Sequence, residues 1–351
     1  MKKIQYIFYV VLIAAVLGAC FIPMEGKGNL TISWGNTSSR AFFESLDTLS
    51  SINVVITDTA DNTIINETLN NSSSVSYTVE PGIWTITVKG YVKETLSVMG
   101  IEQVTVEAGK IATVELGLYT VTEVKNWRAL NDAIGANDEV YAKSPGREEL
   151  FILTGNFIAS STITIQRPII LISEDITVVE RQFGNFIEPF FNITAPNASN
   201  AILTLGKPGM TGTITFDGQG SGESPLITIG KTGINTRGTL VLHNGVRLQN
   251  NQSYCGEEST AGGVYVNSTG IFTMYGGSIR LNEVIVSQGA REQKIYSGGG
   301  VCVAGRFIAY GGEIVNNNCI DNNAHAVLVK QDGFFSFAKG VKINNNDVLY
   351  E

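Results

Sequence analysis

The stretch Gly262–Asn282, GGVYVNSTGIFTMYGGSIRLN, decides the fold. Val264-Tyr265-Val266 is a short alternating strand that runs into Gly270. Ile271–Met274 is a second alternating strand, Gly276-Gly277 a turn, and Ser278–Leu281 a third strand. The phrase returns at Gly299–Asn316, GGVCVAGRFIAYGGEIVN. Each unit shows one apolar column per strand and cannot bury it alone. Stacking like over like at about 4.8 Å per rung makes the core continuous.

Working outward, the first strands align as Leu203-Thr-Leu205, Ile227-Thr-Ile229, Val264-Tyr-Val266, Val301-Cys-Val303 and Val327-Leu-Val329. A glycine follows each, at 212, 238, 270, 305 and 333, and is expected to supply a φ > 0 corner. Second strands place Ile214/Phe216, Leu240/Leu242, Phe272/Met274, Phe307/Ala309 and Phe335/Phe337 inward. Third strands place Val246/Leu248, Ile279/Leu281, Ile314 and Val341/Ile343 inward; the Leu203 copy has Gly218-Gln219-Gly220 there instead. The first strands are spaced by 24, 37, 37 and 26 residues. The extra residues of the longer copies, Asn251–Ala261 and Val284–Ser297, sit at one corner, where an insertion leaves the ladder intact. Asparagines follow the third strands (Asn250-Asn251, Asn282, Asn316–Asn318, Asn344–Asn346), suited to αL corners and to amides bonded along the axis. Some seven rungs would span about 30 Å. An array of β-sandwiches is the rival arrangement, but it needs hairpins within each copy.

The phrase resembles a repeat of spirochaete and gut-bacterial surface proteins, and is akin to the repeats of chlamydial polymorphic outer-membrane proteins. The resemblance covers about residues 225–347 and implies a right-handed parallel β-helix. It does not extend to a C-terminal autotransporter barrel.

Toward the N-terminus, Lys2 and Lys3 precede an apolar run, Ile4–Val16, too short to span a membrane. Leu17-Gly18-Ala19-Cys20 resembles the lipobox of bacterial lipoprotein signal peptides. The resemblance implies cleavage before Cys20 and acylation of that residue, a stable membrane anchor. In enterobacterial lipoproteins an Asp at the next position favours retention in the inner membrane; by that resemblance Phe21 implies the outer membrane, and exposure at the cell surface is the expectation. Residues 1–19 are then signal peptide and 20–28 a lipidated tether.

From Asn29 to Thr120 the pattern is period-two, with strands expected at Leu30–Trp34, Ile52–Ile56, Val75–Val79, Ile83–Val88, Val104–Val106 and Ala112–Leu118. The polar stretch Thr37–Thr48 reads as a loop. These strands predict an antiparallel β-sandwich over 29–120. Pro81-Gly82-Ile83-Trp84-Thr85-Ile86-Thr87-Val88, followed by Val104–Lys110, resembles prealbumin-like and carboxypeptidase-regulatory-like sandwiches, modules that serve as spacers or binding accessories. Val124, Trp127, Leu130 and Ile134 share one helical face, with Gly135 at the C-cap position. Such a helix would cover the open first rung. It opens a second unit, 121–351, of capping helix and β-helix. Gly184–Asn200, with Pro189 and Pro196, reads as a protruding loop or a distorted rung. The chain is therefore all-β apart from the cap.

Composition narrows the function. Of 351 residues, 16% are charged and the net charge is −8, which argues against nucleic acid as partner. Beyond Cys20, three cysteines (Cys255, Cys302, Cys319) lie outside the cytoplasm by this reading; one disulfide and one buried thiol are expected, the pairing left open. The β-helix fold also hosts pectate-lyase-like polysaccharide lyases and glycoside hydrolases. Those enzymes need carboxylates in one outward column, for calcium or for acid/base work. The expected outward columns (Thr204, Thr228, Tyr265, Cys302, Leu328; Thr213, Thr215, Thr239, Val241, Ile271, Thr273, Arg306, Ile308, Phe334, Ser336) hold no acid. Asp217, Glu223, Glu313 and Asp321 scatter over turns, and Glu174, Asp175 and Glu188 lie upstream. His243 and His325 both read as turn residues. No catalytic, metal or cofactor set is expected. What stands out is the apolar outward set Tyr265, Ile271, Ile308, Leu328 and Phe334. Two readings stand: the long loops fold back over it, or it is a face that binds a glycan or an extracellular protein.

Overall fold

In the first module Leu30, Ile32, Val54, Ile56, Ile86 and Val88 are all fully buried. Alternation thus becomes a core. The computed structural model describes residues 26–350 apart from 36–47, 71, 137–147, 185, 196–200, 232–235, 257, 259, 293–295, 321–324 and 345–346. The leader, Cys20, most of the polar stretch after Trp34 and Asn345-Asn346 lie outside the described residues.

Strands Ser74–Val79, Gly28–Gly35 and Ile111–Gly117 form one sheet of the sandwich. Thr63–Leu69, Ser51–Thr57, Gly82–Val92, Thr95–Val106 and Tyr119–Val124 form the facing one. All the expected strands are present. The sandwich is not wholly antiparallel, however. Gly28–Gly35 pairs in parallel with Ile111–Gly117, because the first strand of the module and a late one lie side by side running the same way. Thr63–Leu69 was not legible; it is a mostly exposed edge strand whose polar residues hide the alternation.

The expected boundary at 120/121 falls inside a single strand. Tyr119 and Thr120 pair antiparallel with Met99 and Val98 of the sandwich, while Val121–Val124 pair in parallel with Leu150–Leu153 of the solenoid. One twelve-stranded sheet therefore runs through both modules. A separate apolar cluster at the junction joins Met99 to Leu150, Ile152, Ile170 and Ile172.

Beyond it the chain coils around three parallel sheets. Sheet I contains Ile163–Ile165, Phe191–Ile193, Ile227–Ile229, Val264–Val266, Val301–Val303, His325–Val329 and Asp347–Tyr350. Sheet II continues the shared sheet through Glu149–Leu153, Pro168–Ile172, Ala201–Leu205, Gly238–Leu242, Gly270–Met274, Arg306–Ala309 and Phe334–Phe337. Sheet III has seven strands, from Phe157–Ala159 to Lys342–Asn344. Inside, Phe272, Phe307 and Phe335 stack face to face, with ring centroids 4.3 and 4.7 Å apart.

The stack order corrects the upstream alignment. Leu203 pairs with Leu240, and Ile214 with Val246, so these are strands of sheets II and III. The first strand of that turn is Phe191–Ile193, which pairs with Ile227–Ile229. Of the two readings of Gly184–Asn200, loop or distorted rung, the rung holds for its Phe191–Ile193 part, with Phe190 and Phe191 fully buried. Phe191 to Ile227 spans 36 residues, close to the 37 of the next two turns, so the apparent short turn disappears.

The glycines after the first strands act through space rather than through φ. A Cβ on Gly238 would lie 2.0 Å from the carbonyl oxygen of Ile193 one rung below, and one on Gly305 2.2 Å from that of Asn267. Positive φ occurs instead at Gly245, Gly277 and Gly312, and at Asn250, Leu281 and Asn316. Leu281 is therefore an exposed corner residue and not an inward one.

Just past that corner the asparagines form a buried ladder. The Asn251 amide N–H donates to Asn282 Oδ1 at 3.2 Å, and Asn282 Nδ2 donates to Asn317 Oδ1 at 3.1 Å and to the Leu248 carbonyl at 3.1 Å. Arg181 closes the lower end. Its Nη2 donates to Asn251 Oδ1 at 3.1 Å, while its guanidinium lies 5.0 and 5.1 Å from the rings of Phe186 and Phe190. Burial pulls its pKa down to about 10, against the opposing charge of Glu188, so it stays charged at neutral pH.

The helix Trp127–Ala136 covers the first rung as expected, with Trp127, Leu130 and Ile134 in the solenoid core. Asn126 Oδ1 caps its start by accepting from the Ala129 N–H at 2.8 Å. Gly135 lies within the last turn rather than beyond it; Arg167 Nη2 satisfies the Ile134 carbonyl there at 2.9 Å.

The corner insertions are also structural. Gln252–Cys255, Glu283–Val286 and Asn318–Ile320 make a fourth small sheet. Cys255, Cys302 and Cys319 are all buried, and no disulfide joins any two of them. Cys255 and Cys319 share one apolar cluster. They sit on strands separated by a third, about 9–10 Å apart, beyond the ~7 Å Cα reach of a disulfide. Cys302 belongs to sheet I.

Candidate functional site

The five apolar residues singled out from the sequence divide between two sheets. Tyr265 and Leu328 lie on the outer side of sheet I, and Ile271, Ile308 and Phe334 on sheet II. On sheet I the covering reading holds. Leu328 and Cys302 are fully buried in a cluster with Ala261, and Tyr265 and Tyr296 pack against it. Ala261 and Tyr296 belong to the two corner insertions, which therefore close this surface. Alternation separates inside from outside but carries no record of what lies over the outside.

Sheet II remains open. Thr239, Ile271, Arg306 and Phe334 occupy one outward column in register, and Val241, Thr273, Ile308 and Ser336 the next. Ile271 is 41% and Phe334 50% exposed, which leaves much of this apolar column in solvent. The Arg306 guanidinium carbon lies 5.2 Å from the Phe334 ring centroid, a cation–π contact that holds the cation on the surface. Immediately beyond these strands His243, Tyr275 and Tyr310 form a second stack, with centroids 5.2 and 5.1 Å apart. Both tyrosines are about half exposed. The strip therefore combines two isoleucines, a phenylalanine, an arginine and two tyrosines on a rigid ladder. Of these, tyrosine and arginine are among the residue types that dominate binding hot spots. The sequence reading missed the tyrosines, although both sit in the same Tyr-Gly-Gly phrase.

These columns hold no carboxylate. Asp217 is committed to a corner of sheet III, where it accepts from Gln249 Nε2 at 2.8 Å, Asn250 Nδ2 at 2.9 Å and the Gln219 N–H at 2.8 Å. Glu174 pairs with Lys89 of the sandwich at 2.5 Å. Among the described residues no group of three or more His, Cys, Asp or Glu side chains is placed to hold a metal ion.

Burial lowers the His243 pKa to about 4, with the positive charge of Lys207 acting in the same direction. His243 is thus a neutral ring in the stack at neutral pH. An unfolded histidine takes up its proton near pH 6.5. The stability from the neutral ring is fully present above that pH and is lost as pH falls through about 4. Titration of unfolding stability between these values should show a loss of about 1–2 kcal/mol that His243→Gln removes.

The fold and the strip define a class: a parallel β-solenoid, built on a β-sandwich, with an open aromatic and cationic ladder on one sheet. No family model, curated protein or solved structure matches the chain.

Proposed function

We propose that the chain is a non-enzymatic, lipid-anchored protein of the bacterial cell surface, of the spirochaete-type repeat class. In this reading the sandwich spaces the solenoid from an outer membrane, and sheet II engages an extracellular glycan or protein. The observation that carries the binding role is the open Ile271–Arg306–Phe334 column beside Tyr275 and Tyr310. Contiguous apolar surface rimmed by polar residues marks interaction sites. The anchor rests on the Leu17–Cys20 motif alone; no helix among the described residues is long and apolar enough to cross a membrane.

Two measurements test the two halves. Metabolic labelling with a fatty acid should mark the wild type and not Cys20→Ala; equal labelling refutes the anchor. An array of extracellular-matrix proteins and glycans should yield a binder that Ile271→Asp/Phe334→Asp weakens at least about tenfold, with the circular dichroism spectrum unchanged. Absence of any binder, or equal binding by the double variant, refutes the strip.

A further inference from the structure

Sandwich and solenoid do not meet flush. Between the outer face of the shared sheet and the solenoid turns after Ile172 and before Gly212 lies a cleft of about 290 Å³. That is the lower edge of the size range of ligand pockets, about 300–1,000 Å³. Its walls come from both modules and are fixed to one another. The shared strand Tyr119–Val124 ties them below. The Lys89–Glu174 ion pair crosses between them at 2.5 Å, and a Cβ on Gly209 would lie 2.3 Å from Thr85 Cγ2.

The lining has two parts. Met99, Ile101, Ile172 and Met210 supply apolar surface. Around it stand the hydroxyl side chains Thr57, Thr87 and Thr211. Thr57 is 7% exposed, and its hydroxyl oxygen is buried without a hydrogen-bond partner. A buried hydroxyl left unpaired costs about 1–3 kcal/mol; this one is closed off from solvent as it stands, so a rotation about χ1 that turns it into the cleft would let a ligand's donor or acceptor pair it. Lys89 and Glu174 neutralise each other, and the one further charge in the lining is the exposed carboxylate of Asp61, which disfavours an anionic ligand.

We infer that this cleft binds a neutral saccharide of one or two rings, with a C–H face on the methionine and isoleucine surface and its hydroxyls against Thr57, Thr87 and Thr211. This site is separate from the sheet II strip and does not depend on its role.

Saturation-transfer-difference NMR on the full chain tests it, with a panel of neutral hexoses, pentoses, N-acetylhexosamines and their disaccharides, and with glucosamine and galacturonate as charged counterparts. At least one neutral sugar should bind. Thr57→Val should weaken it about fivefold or more, the loss of one hydrogen bond, while leaving the unliganded protein equally or more stable. Thr87→Trp, which fills the cleft, should abolish binding; if that variant is misfolded by circular dichroism, Thr211→Trp takes its place. Ile271→Asp/Phe334→Asp should bind the sugar as the wild type does. A panel with no neutral binder, a preference for the charged sugars, binding that survives the filled cleft, or loss only in the strip variant each overturns the proposal.

Discussion

Asn282→Ala should be among the most damaging single changes in the solenoid, lowering stability by about 3–5 kcal/mol. The side chain is fully buried and serves three neighbours at once. Its Oδ1 accepts the Asn251 N–H, and its Nδ2 donates to the Leu248 carbonyl and to Asn317 Oδ1. Alanine leaves the first two of these without that partner, and each orphaned buried group costs about 1–3 kcal/mol. Asn282→Asp should be at least as harmful, because a carboxylate cannot donate to Leu248 and would be a buried charge. Leu281→Ala, one position away but exposed, is the control and should change little. Urea unfolding should show a midpoint shift on the order of 1 M for Asn282→Ala without a change in slope.

Arg167→Met should cost about 3–5 kcal/mol, as breaking a buried ion pair from one side does. Arg167 is 1% exposed; its Nη1 donates to Glu149 Oε2 at 2.8 Å and its Nη2 to the Ile134 carbonyl at the end of the capping helix. Removing the cation strips Glu149 of this partner inside the protein and releases the helix end. Arg167→Met/Glu149→Leu should recover most of the loss, because an apolar pair of similar volume avoids the desolvation of both charges. The double-mutant cycle measured by urea unfolding then gives a coupling of at least about 3 kcal/mol. Additive losses would show that the pair does not act as a unit.

Legibility in the sequence followed physical scale. In the sandwich apart from Thr63–Leu69, and in the three main sheets from Ile227 onward, most strands carry their own alternation, so most core positions could be read; Leu281 and Phe337, expected inward, are exposed. The asparagine ladder was legible for the same reason: one residue type recurs at one corner. The rung at Phe191–Ile193 was legible only as one of two readings, a loop or a distorted rung. Three residues cannot show a period, and the prolines on either side mimic a loop. Leu203-Thr-Leu205 and Ile227-Thr-Ile229 carry the same pattern, yet they belong to different sheets; only their partners tell them apart. The small fourth sheet was equally hidden, since QSYC, EVIV and NCI share little beyond alternate burial. For the candidate site, the open half (Ile271, Ile308, Phe334) was visible as apolar residues in outward positions. The closed half (Tyr265, Leu328) failed because its cover comes from insertions with no period of their own. The sandwich–solenoid cleft left no signal in the sequence, as it depends on how two modules share one strand.

The strip, the cleft and the ladder all rest on the stack order, and engineered disulfides read that order directly. Thr204 and Val241 are register partners on the outer side of sheet II, whereas Thr228 belongs to sheet I. Neighbouring strands lie about 4.8 Å apart, within disulfide reach. Under mild oxidation Thr204→Cys/Val241→Cys should cross-link in the folded protein, and Thr204→Cys/Thr228→Cys should not. Cross-linking of the second pair in place of the first would contradict the rung order, and with it the strip and the cleft.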